Sequence, residues 1–464
     1  MFIPTKRGRT LAAAAVFLCI AALAGPCAHA AVITVRAGER LTLGQAIHIA
    51  LVNHPRALYA RTEAASVAQR VGQARSALLP QLFGSAQYLG TTDNGIGDTS
   101  YLNPGFIPRI PGRDHDAPLN AGQSFGPGNN YAAALGAYQY LFDFGRAFGF
   151  LHQRQYESAA ATAAARLTDL DLIYEVTRRY FALLAAHQKV RVFEKALAER
   201  QTQLLAARVK ARAGLVPDID VYTAQAEVAR AQVHLLDARN LVETAKAALD
   251  NAMALGFNAP DYQLATTLTT NPTSGTLGQY VAQAMHLRPD LAMLEDQARA
   301  EGAKIVEYRS DFFPNASAVA GYNTLGTGLP AANNYYAGVV ITWPIFNGFL
   351  TEHQLEEAKL RQDALRYSIE DLRQRIFLEV KRAFLNWQTA YQRIRRTELA
   401  LAASRAQLEL AQKRYDTGLG NIIELTDAER WFVQNDADYV DALFFYSVDK
   451  AALDRATGAL LEDR

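Results

Sequence analysis

Apolar residues recur every three to four positions along two very long stretches of this chain. From Gly145 to about Arg212 no Pro, and no Gly beyond Gly149, interrupts the pattern. These 68 residues would make a helix about 100 Å long. A second stretch, from about Phe349 to Thr417, is free of both residues. Globular helices average roughly 11–12 residues, so this length predicts a coiled-coil-like assembly. In the first stretch Leu167, Leu170, Tyr174, Thr177, Phe181 and Leu184 keep a heptad spacing. Ile173, Val176, Tyr180 and Leu183 form an adjacent stripe. Two stripes suit a helix packed on both sides within a wall of helices; the core of an ordinary antiparallel bundle is the other reading.

Between the helices the period changes to two. Gln81, Ser85 and Gln87 oppose Leu82, Ala86 and Tyr88. Asn315, Ser317 and Val319 interleave with Ala316, Ala318 and Ala320. Tyr335, Ala337, Val339, Ile341 and Trp343 share one face, opposite Tyr336, Gly338, Val340 and Thr342. The segment from Tyr131 to Phe142 alternates less cleanly. At about 10–12 residues each, these segments have the length of a transmembrane β-strand. Tyr88, Tyr138, Tyr140, Phe142, Phe144, Trp343 and Phe346 cluster near their ends, as an interfacial aromatic belt would; a small soluble sheet with aromatic edges is the bland reading. A strand in lipid must have both edges paired, so only a closed barrel is allowed. The smallest such barrels have about eight strands, and four cannot close one. Two copies would give about eight strands and a filled interior, three about twelve and a lumen. A duct therefore favours a homotrimer.

The chain repeats itself. Thr42-Leu43-Gly44-Gln45 recurs as Thr276-Leu277-Gly278-Gln279, an offset of 234 shared by Pro55 and Pro289, Pro80 and Pro314, and Tyr88 and Tyr322. Farther on the offset is 204, as Lys246-Ala247-Ala248-Leu249-Asp250 recurs at Lys450-Ala451-Ala452-Leu453-Asp454. The lost 30 residues fall in the Gly/Pro/Asn-rich stretch between Thr91 and Asn130, which reads as a surface loop. The expected plan is a signal peptide over 1–30, a first repeat over 31–256, a linker over 257–276 and a second repeat over 277–464. The first repeat would hold helices at about 43–79, with an interruption near Pro55, 145–212 and 219–255, and strands at about 81–90 and 131–143 around the loop 91–130. The second would hold helices at about 277–313, 349–417 and 422–457, with strands at about 315–324 and 335–346.

Composition adds a location. Lys6, Arg7 and Arg9 precede an apolar run from Thr10 to Gly25, and Ala28-His29-Ala30 offers a cleavage site. Cleavage after Ala30 would remove three cations and shift the formal charge from +1 to −2. It would also remove Cys19 and Cys27, leaving no thiol for disulfides, catalysis or soft metals. Pro26 before Cys27 departs from a lipidation motif, so no lipid anchor is expected. A near-zero charge gives no reason to expect nucleic acid as partner. Asp114-His115-Asp116 reads as a solvated loop tip rather than a metal site, and no phosphate loop, zinc motif or nucleophile elbow points to an enzyme. No cofactor is expected.

The duplicated plan, with Gly214-Leu215-Val216 and Gly418-Leu419-Gly420 at the helix turns, resembles the TolC family of outer-membrane efflux proteins. So do Leu141-Phe142-Asp143-Phe144-Gly145-Arg146 and Pro344-Ile345-Phe346-Asn347-Gly348, where strand passes into helix. The similarity spans about Leu41 to Gly458. It implies an α+β membrane protein: a trimer sharing a 12-stranded outer-membrane barrel, four strands per chain, continued by a long α-helical barrel into the periplasm. It further implies a periplasmic adaptor and an inner-membrane pump as partners, in efflux of drugs or small solutes or in type I protein secretion. A secreted or periplasmic coiled-coil structural protein is the alternative.

The second helical turn carries the candidate gate. Glu424 and Asp427 stand three residues apart and share a helix face, so around a trimer axis they would form two carboxylate rings. Complementing a helix dipole is the plain role for acids so placed. The resemblance implies that Tyr415 helps latch the aperture, while Gly420 stands where many members have an arginine. In the first half Asp220 corresponds to Glu424, and Asp218 is the expected N-cap. Gly214, Leu215, Val216, Gly418 and Leu419 are adaptor-contact candidates by the same resemblance, and apolar residues at exposed turns call for a cover.

Overall fold

A computed structural model describes residues 33–92, 127–256, 259–266, 268, 274–326 and 332–461. The expected signal peptide, most of the 91–130 loop with Asp114-His115-Asp116, and much of the 257–276 linker lie outside them. The first half contains helices α1 (Leu43–Asn53), α2 (Pro55–Ser76), α3 (Arg146–Arg212) and α4 (Asp218–Ala252). The second contains α5 (Leu277–Leu287), α6 (Pro289–Ser310), α7 (Leu350–Asp416) and α8 (Ile422–Thr457). Counterparts agree in length: 11 residues in α1 and α5, 22 in α2 and α6, 67 in α3 and α7, and 35 against 36 in α4 and α8.

The helix expected at 43–79 is broken at the interruption foreseen near Pro55, and the helix expected at 277–313 is likewise two. The backbone of His54 and of Arg288 is extended, because a proline follows and disfavours the helical conformation before it. Each proline then opens a new helix, where its missing N–H costs nothing. Thr42 and Thr276 close capping boxes with Gln45 and Gln279 at the starts of α1 and α5.

Strands β2 (Gln81–Thr92), β3 (Pro127–Phe142), β5 (Asn315–Gly326) and β6 (Ala332–Thr342) form one antiparallel sheet in that order. The two-residue strands β1 (Arg40–Leu41) and β4 (Gln263–Leu264) pair in parallel beside the helices. β3 begins four residues earlier than the sequence pattern suggests. Its partner sets its length: Pro127 still pairs with Thr92 across β2.

The helices form a wall. α3 packs against α2 and α4 on one side and against α6 and α8 on the other, while α7 covers the far side of α6 and α8. Across the wall the order is α2 then α4, α3, α6 then α8, and α7. One core lies under α1, where Tyr180 is fully buried and donates from its hydroxyl to the Leu41 carbonyl at 2.9 Å. The matching core under α5 centres on Ile376, Val380 and Trp387 of α7 with Leu453 of α8. Both stripes expected on α3 pack inward: Ile173, Val176, Tyr180 and Leu183 are buried, with Leu170 and Leu184 beside them. Among the described residues no helix is long and apolar enough to cross a membrane.

Candidate functional site

Both long helices end in a left-handed glycine. Gly214 has φ +69° and Gly418 φ +75°, and the next residue's N–H closes back on the helix: Leu215 to the Lys210 carbonyl and Leu419 to the Arg414 carbonyl, each at 2.9 Å. The reversals leave Leu215 75% and Leu419 76% exposed, with Val216 half-buried. Ile219, Tyr222 and Ile423 extend this apolar tip. The sequence reading missed these three, although each sits within the first turns after its reversal. Asp218 is not the N-cap. Pro217 occupies that position, and Asp218 is the first helical residue, where its charge meets the dipole.

Tyr415 is buried with Leu425, Ile422, Ala411 and Ala428 in a small core that ties the end of α7 to α8. Lys210 of α3 reaches across, its ammonium 4.3 Å from the Tyr415 ring and 3.2 Å from Asp416. Asp220 of α4 is also buried, and its carboxylate lies beside the Tyr415 hydroxyl. Burial pushes the Asp220 carboxyl above its usual range. Burial, with Asp220 and Asp416 nearby, raises the Tyr415 hydroxyl. Tyr415 and Asp220 thus meet across the two halves of the chain.

Glu424 and Asp427 sit on the exposed side of α8, but neither is bare. Arg414 Nε is 3.0 Å from Glu424, and Arg430 Nη1 is 3.3 Å from Asp427. Both acids are therefore paired with an arginine of their own chain rather than standing as lone carboxylates. Asn421 caps α8 by accepting from the Glu424 N–H at 2.8 Å. Gly420 cannot host a side chain cheaply, because an added Cβ would lie 3.0 Å from the Arg414 Cβ and 3.2 Å from the Tyr415 nitrogen.

The sheet has two unlike faces, fixed by its register. One carries Leu82, Ala86, Tyr88, Leu135, Ala318, Tyr322, Tyr335, Val339 and Ile341, with Gln139 and Thr324; the other gathers Gln81, Ser85, Gln87, Ser317, Asn323 and Thr342 but also Phe83, Tyr138, Tyr140, Val319, Tyr336 and Val340. Tyr138 and Tyr140 stand on the face opposite Tyr88, where Ser317 donates to the Tyr138 hydroxyl at 3.1 Å. A bulge after Tyr140 changes the parity and returns Phe142 to the apolar face beside Ala316. Phe144 and Phe346 lie past the strand ends, and Phe144 stacks on Phe313 at 4.7 Å. Trp343 is anchored through its indole N–H to the Phe312 carbonyl at 3.1 Å. No group of His, Cys, Asp or Glu able to hold a metal occurs among the described residues.

A family model for outer membrane efflux proteins matches residues 46–255 and 280–459. The chain belongs to this family. OprJ, an outer membrane protein of Pseudomonas aeruginosa, is 26% identical over 356 residues, 74% of this chain and 73% of its own. The cation efflux system protein CusC of Escherichia coli is 24% identical over 341 residues, 71% of this chain and 73% of its own. A crystal structure of CusC superimposes with a TM-score of 0.73 at 19% identity, over 94% of this chain and 99% of that one. The fold is therefore that of the outer-membrane channels, and the chain is an efflux protein of the outer membrane rather than a coiled-coil structural protein.

Proposed function

We propose that the chain is one subunit of a trimeric outer-membrane duct, gated at its helical tip, that passes solutes without changing them chemically. One observation carries this: the chain leaves the same two sides open at both levels. The sheet ends at β2 and β6, and the wall ends at α2/α4 and at α7. A sheet edge in lipid must be paired, and a heterologous contact that closes makes a ring. Joining β6 and α7 of one copy to β2 and α4 of the next closes both barrels at once. Four strands per copy favour three copies. The apolar sheet face would then meet lipid and the polar face the lumen. The duplicated plan, with a second repeat from 277 matching the first, supports six pseudo-equivalent walls around the axis.

The exposed residues Leu215, Leu419 and Ile423 suit a protein partner at the tip. That partner is a periplasmic adaptor, linking the duct to an inner-membrane pump. Tyr415, Asp220, Glu424 and Asp427 form the gate. Reconstitution in planar bilayers tests the reading. The purified mature protein is expected to need detergent, run as a trimer and conduct. A water-soluble monomer without conductance would overturn it.

A further inference from the structure

We propose that Arg200, Glu227 and Glu429 form a second latch above the tip, tightened when Glu429 takes up a proton. It rests on the gated-duct reading. Arg200 lies 12 residues before the end of α3, and Glu429 lies 7 residues after the start of α8. These positions are about 10–18 Å from the exposed turns. The side chains are 8%, 11% and 4% exposed for Arg200, Glu227 and Glu429. Arg200 Nη1 is 3.7 Å from Glu227 and also contacts Glu429. Glu227 has a second cation, Arg230, at 2.6 Å. Glu429 has only the shared one, in direct contact with its Oε2. The guanidinium of α3 thereby fastens α4 to α8, which otherwise barely touch.

α3 offers Glu199 and Arg200 toward Glu429. α4 offers Glu227, and Arg230 and His234 border a cavity of about 210 Å³ beside Arg200. On α8 Arg430 borders that cavity and pairs with Asp427. α7 meets α8 here with Leu408 and Ala411, and one turn beyond Glu429 its Arg405 lies 5.8 Å from the Phe432 ring, with Lys195 of α3 6.0 Å from the same ring. A buried carboxylate that shares its one cation and has two acids nearby is more comfortable neutral. Burial pushes Glu429 up to about 7, with Arg200 opposing and Glu199 and Glu227 assisting. The value in the closed tip is raised, so closure is fully favoured below the ordinary carboxylate range. That advantage fades as the pH rises toward about 7. If α8 swings outward, Glu429 enters water and loses its proton. Acid holds the latch shut, and neutral pH eases it.

The experiment is conductance of the reconstituted full-length trimer at about pH 5.5 and about pH 8. Glu429→Gln fixes the neutral form. It is expected to conduct at the higher pH as the parent does at the lower, flattening a response of about threefold or more. Glu424 and Asp427 are the same in parent and variant, so the difference isolates Glu429. Arg200→Met leaves carboxylates facing one another; conductance should rise at the higher pH and fall back at the lower. Adding Glu429→Leu to Arg200→Met should restore closure, since an apolar swap removes the stranded charge. Tyr415→Ala serves as the tip control and should raise conductance. If it does while Arg200→Met tracks the parent at both pH values, the latch is wrong and the gate stands. If neither variant changes conductance, the gate reading falls with it. Should Arg200→Met not assemble, Glu429→Gln decides alone: a parental pH response there overturns the proposal.

Discussion

Gly420 shows how one position constrains a gate. The chain turns so tightly after Tyr415 that the first side-chain atom would press on Arg414 and on the Tyr415 nitrogen. Gly420→Ala should therefore loosen the Tyr415 core at a cost of about 1 kcal/mol, and Gly420→Arg should cost more. Faster hydrogen exchange at the amides of Leu419 to Leu425, with the upper core unchanged, is the expected outcome; unchanged exchange would refute it. A second residue acts far from the tip. The Tyr180 hydroxyl serves both the Leu41 carbonyl and Thr266 Oγ1, each at 2.9 Å, in a fully buried site. Tyr180→Phe strands those partners and should cost about 1–3 kcal/mol, read as a lower midpoint of thermal unfolding. The turn glycines were legible because each ends an unbroken helical stretch, and Tyr415 through the family resemblance alone. Arg200, Glu227 and Glu429 were not, because they lie far apart in the chain and each alone looks like a solvated helix charge. That Tyr138 and Tyr140 face away from Tyr88 was not legible, because only cross-strand register reveals the face a tyrosine occupies.

At the scale of elements, the long helices were plain because nothing in either stretch breaks a helix. The breaks before Pro55 and Pro289 follow from one steric rule. Sheet order and bulge were hidden, since both depend on pairing between distant segments. The outer side of α7 carries a further pattern. Leu360, Tyr367, Leu378, Leu385, Leu399 and Leu410 are all exposed. Their spacings of 7, 11, 7, 14 and 11 residues each approximate whole turns, so they make one straight stripe. The wall order leaves this stripe without a neighbour in the chain. An apolar stripe of this length asks for a partner helix. Leu378→Glu combined with Leu385→Glu should therefore leave helix content intact by circular dichroism while blocking trimer formation in detergent. A trimer of normal mass from this double variant would show that the stripe lies outside the seam.

At the scale of the whole molecule, the direction of closure follows from the order of the wall. Its free sides are α4 and α7, which are different surfaces, so copies must join head to tail. α4 offers Tyr222, Val233 and Leu236 on its exposed side. Heights along the duct can be matched by counting from the tip. Leu236 stands 21 residues beyond Leu215, and Leu399 stands 20 residues before Leu419, so both lie about 30 Å above their turns. A chain carrying Leu236→Cys and Leu399→Cys, with no cysteine outside the 1–30 segment, should cross-link copy to copy under mild oxidation. Head-to-tail closure predicts a non-reducing ladder that stops at three, with each single variant remaining monomeric. A ladder ending at two, or dimers formed by either single variant, would mean a two-fold contact between identical surfaces. Such a contact would pair one kind of free side and leave the other, with its matching sheet edge, unpaired on both copies, and the closure argument would fail with it.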